Sequence, residues 1–436
     1  MKTRILIVLA AACLLLAAWR HGAEVRAVSG RAYLPSAQPD RVILTWTGDP
    51  ATSASVTWRT DTTAKQAKAQ IAEAGDGPEF AKHPSDVLAR TDGFTSNSGE
   101  ALVHSAQLAG LRPNTLYAYR VGDGHNWSEW LQFRTASDKP DPVTFLYVGD
   151  AQNDVLSLWS RVVRMGYAKA TGAHFFVHAG DLVNRGSVDE EWGEWFQAGG
   201  WIHSTIPSFP VVGNHEYDRR NGKLRLMTNH WRAQFTLPEN GVPGIEETCY
   251  YVDIQGVRMI AMNSNERHQE QAEWLDKVLA HNPNPWTVIS FHHPIFSAAK
   301  SRDNKELRET WQPVFDKHKV DMVLQGHDHT YARSNLITGT NTRGGKSGTV
   351  YVVSVSGPKM YNNQKLDWMA RKAEDTQLFQ VVHIEGSRLQ YESRTARGLL
   401  YDAFELRKRK NAPNQLINRI PATPERKREQ APATGQ

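Results

Sequence analysis

Short apolar runs dominate the chain beyond residue 142 and set the strongest limit on its fold. They alternate with helical patterns and occupy residues 143–148, 174–178, 208–212, 257–262, 286–291, 320–324 and 350–355. Runs without polar alternation predict strands buried on both faces, because half-exposed strands alternate polar and apolar residues. The patterns at 153–170 and 303–317 predict helices that cover such sheets. We therefore expect an α/β domain over residues 143–406.

A different pattern, over residues 31–138, precedes this domain. Short β-type runs such as 42–46 and 55–58 are separated by Gly, Pro and Asp, which is typical of an antiparallel β-sandwich. The segment 111–121 resembles the fibronectin type III segment that carries a tyrosine corner, with Tyr117 or Tyr119 as the corner residue. Pro140 and Pro142 disfavour both helix and central strand, and they predict a linker between the two domains.

Residues 1–27 have the pattern of a leader. Lys2 and Arg4 precede an unbroken apolar run over residues 5–19, which is shorter than the roughly 20 residues that span a bilayer. We predict a cleaved secretory signal and an exported protein, periplasmic or secreted, with an uncleaved membrane anchor as the alternative. Cys13 and Cys249 are the only cysteines, so the exported fold has to rely on its core rather than on disulfides.

The net charge of +5 is concentrated near the C-terminus. Residues 407–436 carry eight Lys and Arg against two Glu, so the rest of the chain is close to neutral. Four prolines interrupt this basic stretch, and we predict a disordered, solvated tail over 407–436. We expect no nucleic-acid partner. The 40% hydrophobic and 22% charged residues are typical of a globular protein.

Five short polar segments directly follow predicted strands, where α/β folds place their ligand sites. They are Gly149-Asp150-Ala151-Gln152, Gly180-Asp181, Gly213-Asn214-His215-Glu216, His292-His293-Pro294 and Gly326-His327-Asp328-His329. Each segment alone is typical of a turn with an exposed polar side chain. Five in succession, each behind a strand, indicate a single site built from Asp, Asn and His side chains.

These residue types suit a pair of metal ions. Asp, Asn and His together favour borderline divalent ions such as zinc and manganese, or an iron-containing pair, over calcium or magnesium. Two ions about 3.5 to 4 Å apart neutralise the charge of a phosphoryl group and generate a nucleophile near neutral pH. Transfer of a phosphoryl group to water needs both of these effects.

In this order, the five segments resemble the motif series of the calcineurin-like metallophosphoesterases, and the preceding β-sandwich resembles that of the purple acid phosphatase branch. The resemblance implies a four-layer α/β/β/α sandwich preceded by an all-β, fibronectin type III-like sandwich. It implies these ligands: Asp150 for the first ion, Asp181 as the bridge, Asn214 and His292 for the second ion, and His327 and His329 for the second and first. His215 would face the substrate, and His293 would have a structural or supporting role.

Two positions depart from the family pattern. Purple acid phosphatases carry a tyrosine three residues beyond the bridging aspartate, where this chain has Asn184. Most other members carry a histidine two residues beyond the first aspartate, where this chain has Gln152. Three roles are open for Gln152: a metal ligand through its carbonyl oxygen, a group that orients a bound water, or neither. We expect Zn, Mn or ferrous ions rather than a tightly held ferric ion, and a colourless protein.

Together these features predict hydrolysis of small-molecule phosphomonoesters by a hydroxide held between the ions, with in-line attack at phosphorus and His215 assisting the leaving group. A membrane contact is expected only through the N-terminal segment. A phosphodiesterase or nucleotide hydrolase on the same scaffold is the main alternative, because the motifs define the metals but not the pocket wall. An extracellular binding protein with a degenerate metal domain is the second alternative.

Overall fold

The structure is a computed structural model that describes residues 33–220 and 223–428. The predicted leader over residues 1–27 lies outside the described residues, and so do residues 429–436. Within the described ranges, no helix is long and apolar enough to cross a membrane.

Residues 40–134 form an antiparallel β-sandwich. One sheet consists, in spatial order, of β1 (Asp40–Thr45), β2 (Ser53–Thr60), β6 (Gly99–Ala109) and β5 (Arg90–Ser96). The other consists of β4 (Ser85–Leu88), β3 (Lys68–Glu73), β7 (Leu116–Gly122) and β8 (Leu131–Arg134). Trp58, Tyr119 and Phe133 belong to the core between the sheets. Of the two candidate corner residues, Tyr117 makes the expected contact, because its hydroxyl accepts a 2.9 Å hydrogen bond from the Arg112 N–H.

Two mixed sheets of seven strands each form the centre of the second domain, as far as its residues are described. The first consists, in spatial order, of β11 (Ser208–Val211), β10 (Phe175–Ala179), β9 (Val143–Val148), β21 (Leu378–Glu385), β22 (Arg388–Thr395), β23 (Leu400–Arg409) and β24 (Ala412–Asn418). The second consists of β14 (Tyr250–Ile254), β15 (Val257–Ala261), β16 (Trp286–Ser290), β17 (Met322–Gln325), β19 (Val350–Val353), β18 (Tyr331–Ser334) and β20 (Met369–Ala373). A separate hairpin pairs β12 (Tyr217–Arg220) with β13 (Lys223–Met227).

Helices cover the outer faces of both sheets. They are α1 (Ser160–Lys169) and α2 (Asp189–Gly199) on the side of the first sheet, and α4 (His268–Ala280) and α5 (Lys305–His318) on the second sheet; the short α3 (Asn229–Gln234) precedes β14 in the chain. In β15, Val257 and Met259 point into the core between the sheets, whereas Ile260 packs with the helices. This alternation separates a central core from an outer one. The predicted α/β/β/α sandwich behind an all-β sandwich is therefore confirmed.

The prediction of a disordered tail from Arg407 onward is wrong for residues 407–428. β23 extends to Arg409, and β24 pairs antiparallel with it at the edge of the first sheet, where proline is tolerated. Leu416 of β24 packs against the main hydrophobic core of the domain. Beyond the strand, the Arg426 and Arg428 N–H groups donate to other parts of the domain. Amino-acid composition predicted disorder because it gives no information about an open sheet edge or about acidic partners elsewhere in the domain.

Three buried charges join the β-sandwich to the α/β domain. The Asp189 carboxylate, in the first turn of α2, accepts hydrogen bonds from Arg41 at 2.7 and 2.8 Å and from Arg59 at 2.9 Å. All three side chains are at most 3% exposed. Burial by itself raises the pKa of Asp189, but His230 and the two arginines outweigh it and hold the pKa well below its usual range.

We expect Asp189→Asn to lower the free energy of unfolding by about 3 to 5 kcal/mol at neutral pH, because the buried Arg41 guanidinium loses its ionic partner and Arg59 keeps only Asp40. The pKa of Asp189 is depressed on folding, so its contribution is present above the unfolded-state pKa of about 3.9 and is lost as the pH falls below it. Urea unfolding at neutral and at acidic pH checks this. If the free energies of unfolding of the variant and the unchanged protein differ as much in acid as at neutral pH, the loss of stability comes from packing and not from charge.

Candidate metal centre

The five polar segments lie at the carboxyl ends of parallel strands from both sheets. β9, β10 and β11 are parallel neighbours in the first sheet, and β15, β16, β17 and β19 are parallel neighbours in the second. The predicted ligands follow these strands: Asp150 after β9, Asp181 after β10, Asn214 after β11, His292 after β16, and His327 and His329 after β17. Because the two sheets pack face to face, side chains from their strand ends converge.

In these turns a strained backbone conformation directs the side chains of several predicted ligands toward one another. Four of the predicted ligands adopt the left-handed conformation, which residues other than glycine rarely take. Their φ angles are +44° at Asp150, +51° at Asp181, +71° at His327 and +46° at His329. A Cβ added at Gly180 would lie 2.6 Å from the His292 Nδ1, and one at Gly326 would lie 2.6 Å from the Asp150 Oδ2. Glycine is therefore required where the segments approach each other.

The first of two ligand clusters consists of Asp150, Asp181 and His329. One carboxylate or imidazole atom from each lies within 4.8 Å of the others. The His329 Nε2 is 3.7 Å from the Asp150 Oδ1, and the His329 Nδ1 donates to the Lys359 carbonyl at 3.0 Å. A histidine that donates from one ring nitrogen keeps a lone pair on the other, which is the usual arrangement of metal-bound histidines.

The second cluster consists of Asp181, His292 and His327, again within 4.8 Å of one another. The His292 Nε2 lies 3.1 Å from the Asp181 Oδ2 and 3.2 Å from the His327 Nδ1. The His292 Nδ1 donates to the Ala179 carbonyl at 2.9 Å, which leaves its Nε2 to face the cluster. Asp181 belongs to both clusters, so its carboxylate is placed as a bridge between two ion positions would be.

Two buried amide side chains accompany the clusters. Asn214 is 2% exposed and Gln152 is fully buried, and the side-chain oxygen of each has no hydrogen-bond partner among the described residues. Buried polar atoms usually have a partner, and an amide oxygen close to carboxylates and histidines is a suitable additional ligand for a metal ion. The donor set of oxygens and imidazole nitrogens thus fits two borderline divalent ions.

The charges of the site favour a cation between the aspartates. Burial raises the pKa of Asp150 well above its usual range. Burial also acts to raise the pKa of Asp181, but His292 and the other histidines outweigh it and hold that pKa well below its usual range. Burial would lower the pKa of His292, yet Asp181 and Asp150 raise it to about 9. Two carboxylates this close therefore draw a positive charge to the site, and divalent ions would supply it.

Glu216 holds the Asp181 backbone in place, and the sequence indicated no role for it beyond its position at the end of the third polar segment. Its side chain is fully buried. One carboxylate oxygen accepts from the Asp181 N–H at 3.0 Å and the Gly213 N–H at 2.7 Å, and the other accepts from the Leu182 N–H at 2.8 Å. Burial raises its pKa to about 7. Only its position directly after Asn214 and His215 could have signalled this role.

His215 lies beside the clusters but belongs to neither. Its Nδ1 donates to the Asn184 carbonyl, and its Nε2 lies 3.8 Å from the Asp181 Oδ2. The side chain is 21% exposed, so its free edge is open to a substrate. Asn184 thus contacts the site through its backbone, and within residues 33–220 and 223–428 its side chain makes no hydrogen bond to either cluster. His293 hydrogen-bonds the Ser264 hydroxyl at 2.8 Å, in keeping with a supporting role.

Two family models match the chain. The purple acid phosphatase N-terminal domain matches residues 39–135, and the calcineurin-like phosphoesterase matches residues 121–331. Purple acid phosphatase 21 of Arabidopsis thaliana is 27% identical over 295 residues, which cover 64% of this chain and 64% of the plant protein. The chain thus spans less than two thirds of that relative's length.

Solved structures show the same architecture. Purple acid phosphatase PPD1 from yellow lupin (Lupinus luteus) seeds aligns with a TM-score of 0.73 and 20% identity, over 84% of this chain and 74% of the lupin chain. PhoD aligns with a TM-score of 0.67 and 13% identity, over 91% of this chain and 95% of that chain. At these identities the likeness concerns the fold alone. The matches identify residues 39–135 as a purple acid phosphatase N-terminal domain and residues 121–331 as part of a calcineurin-like phosphoesterase domain, in the order found in purple acid phosphatases.

Proposed function

We propose that this chain is a phosphoester hydrolase that uses two metal ions and prefers phosphomonoesters. The observation that supports this most directly is the pair of ligand clusters that share Asp181, with His215 beside them and in neither. A single structural ion would need only one cluster. Two adjoining clusters with an open histidine suit a reaction in which a phosphoryl group loses one oxygen substituent and gains another.

The ion pair is Zn, Mn or Fe, and the proposed ligands fall into two sets. The first ion would be held by Asp150, Asp181 and His329, and the second by Asp181, Asn214, His292 and His327. Two ions held there would neutralise phosphoryl charge and supply a nucleophile from water near neutral pH. Glu216, through the Asp181 N–H, keeps the shared carboxylate in place.

His215 is the proposed proton donor to the leaving oxygen. Its Nδ1–H is held by the Asn184 carbonyl, which leaves the Nε2 edge toward the substrate. For in-line attack at phosphorus, the ester oxygen departs on the side opposite to the attacking water. In its protonated form, His215 would donate to that oxygen, and such general acid help is typically worth about 10² to 10⁴ in rate.

Relative rates on nitrophenyl phosphate and bis(nitrophenyl) phosphate, with protein of measured metal content, test the substrate preference. We expect a higher kcat/KM for the monoester. The reverse order would identify a phosphodiesterase on the same scaffold. Protein that binds no ion and remains inactive with added manganese or zinc would instead favour the binding-protein alternative.

We further propose that the enzyme acts outside the cytoplasm, on small soluble phosphoesters. The apolar segment over residues 5–19 supports this, since it has the length and the basic flank of a secretory signal. N-terminal sequencing of the protein from fractionated cells checks it, because removal of the leader would expose a new N-terminus near residues 24–28.

A further inference from the structure

Gln152 occupies a fixed position against the first cluster. Its side chain is fully buried, and its backbone N–H donates to the Asp181 carbonyl at 3.1 Å. On the other side, Gly357 comes so near that a Cβ added there would lie 3.0 Å from the Gln152 carbonyl oxygen. The Gln152 backbone is therefore packed closely on both sides, and its side-chain amide contacts the cluster.

The amide nitrogen of Gln152 lies where two lone pairs converge. It is 2.8 Å from the Asp181 Oδ2 and 3.0 Å from the His329 Nε2. Because the His329 Nδ1 donates to the Lys359 carbonyl, its Nε2 offers a lone pair rather than a proton. Both contact atoms belong to the proposed ligand set of the first ion. The amide N–H groups thus occupy the position that a cation would take. The Gln152 Oε1 has no hydrogen-bond partner among the described residues.

A bound ion would reverse the orientation of this amide. A cation takes up the lone pairs of Asp181 and His329 and repels the N–H groups that otherwise point at them. A half-turn of the terminal amide exchanges oxygen and nitrogen with almost no change of shape. The half-turn brings the unpaired oxygen to the side of the cation. It therefore removes a repulsion and satisfies a buried acceptor in one movement.

The two donor sets then differ in chemistry. Around the first ion they would be oxygens of Asp150, Asp181 and Gln152 with one imidazole, from His329. Around the second they would be two imidazoles, from His292 and His327, with oxygens of Asp181 and Asn214. Carboxylate and carbonyl ligands suit manganese, whereas imidazole ligands suit zinc and iron.

We propose that the Gln152 amide oxygen is a ligand of the first ion and makes the first site more favourable to Mn²⁺, relative to Zn²⁺ and Fe²⁺, than the imidazole-rich second site. The proposal rests on the two-ion centre proposed above. It explains how a chain that lacks both the tyrosine and the histidine of its family completes the first site with residues of its own.

Metal titration of the full-length, chelator-stripped protein tests this without an activity assay. Calorimetry with Mn²⁺ and Zn²⁺, together with elemental analysis after dialysis, gives the affinity and stoichiometry of each site. We expect Gln152→Leu, which keeps size and burial, to weaken Mn²⁺ binding at the first site by at least about tenfold and to spare the second site. Gln152→His should raise the preference of the first site for Zn²⁺ over Mn²⁺.

Gln380→Leu is the matched control. Gln380 is also fully buried, has an unpaired Oε1, and donates to the Ser354 and Ser393 hydroxyls instead of the clusters. Its variant should bind both ions as the unchanged protein does. Unaltered Mn²⁺ binding in Gln152→Leu, or equal weakening at both sites, would overturn the proposal, because the latter would mean that Gln152 only orients Asp181. Absence of any bound ion in the unchanged protein would instead overturn the proposed function itself.

Discussion

Asp181→Asn is expected to lose both ions together and to lower kcat/KM by at least about 10³, since the metal charge is worth several kcal/mol in phosphoryl transfer. Asp181 is the one residue common to both ligand clusters. Replacing one carboxylate oxygen by an NH₂ group keeps the shape of the side chain but places a donor where a ligand has to be. Elemental analysis of dialysed protein and steady-state kinetics on nitrophenyl phosphate measure the two effects.

Asp150→Asn provides the comparison for this experiment. Asp150 is as buried as Asp181 but belongs to the first cluster alone. Its variant should therefore weaken the first ion and retain the second. If Asp181→Asn also loses only one ion, Asp181 is not a bridge. Thermal unfolding of both variants separates loss of metal from loss of the fold.

His215→Ala is expected to keep both ions and to lose activity according to the leaving group. With an alkyl phosphate the loss should be about 10² to 10⁴ in kcat/KM, which is the usual value of general acid help. With nitrophenyl phosphate the loss should be small, because a nitrophenolate departs with hardly any need for a proton. The measurement is the slope of log kcat/KM against the pKa of the leaving group, determined for the variant and for the unchanged protein.

The exposed His281, at the end of α4, provides the control histidine, since its contact is with its own helix. His281→Ala should leave that slope unchanged. An equal loss on both substrates in His215→Ala, with the ions retained, would assign His215 to binding of the phosphate or orientation of the nucleophile. Loss of an ion would show that the Nε2, 3.8 Å from the Asp181 Oδ2, belongs to the ligand set.

The residues and their order along the chain predicted buried strands covered by helices and a polar site behind them, whereas the four-layer arrangement and the role of each ligand followed from the family resemblance. Buried strands have a local signature, because most of their residues are apolar without regular polar alternation, and the polar segments that follow them are easy to recognise. The strands of Asp150, Asp181 and His292 were located in this way to within a residue or two. The ligand types also follow directly from the sequence, since Asp, Asn and His bind ions wherever they converge.

Only the tertiary structure decided which atoms meet and what each neighbour does. The sharing of Asp181, the support from Glu216 and the position of the Gln152 amide all depend on contacts between segments far apart in the chain. The same holds for the Arg41 and Asp189 pair between the domains. Basic residues and prolines near the C-terminus indicated disorder, yet an open sheet edge ordered the chain through β24. Local sequence patterns show which side chains are present, whereas strand pairing and side-chain packing depend on segments that are far apart in the chain.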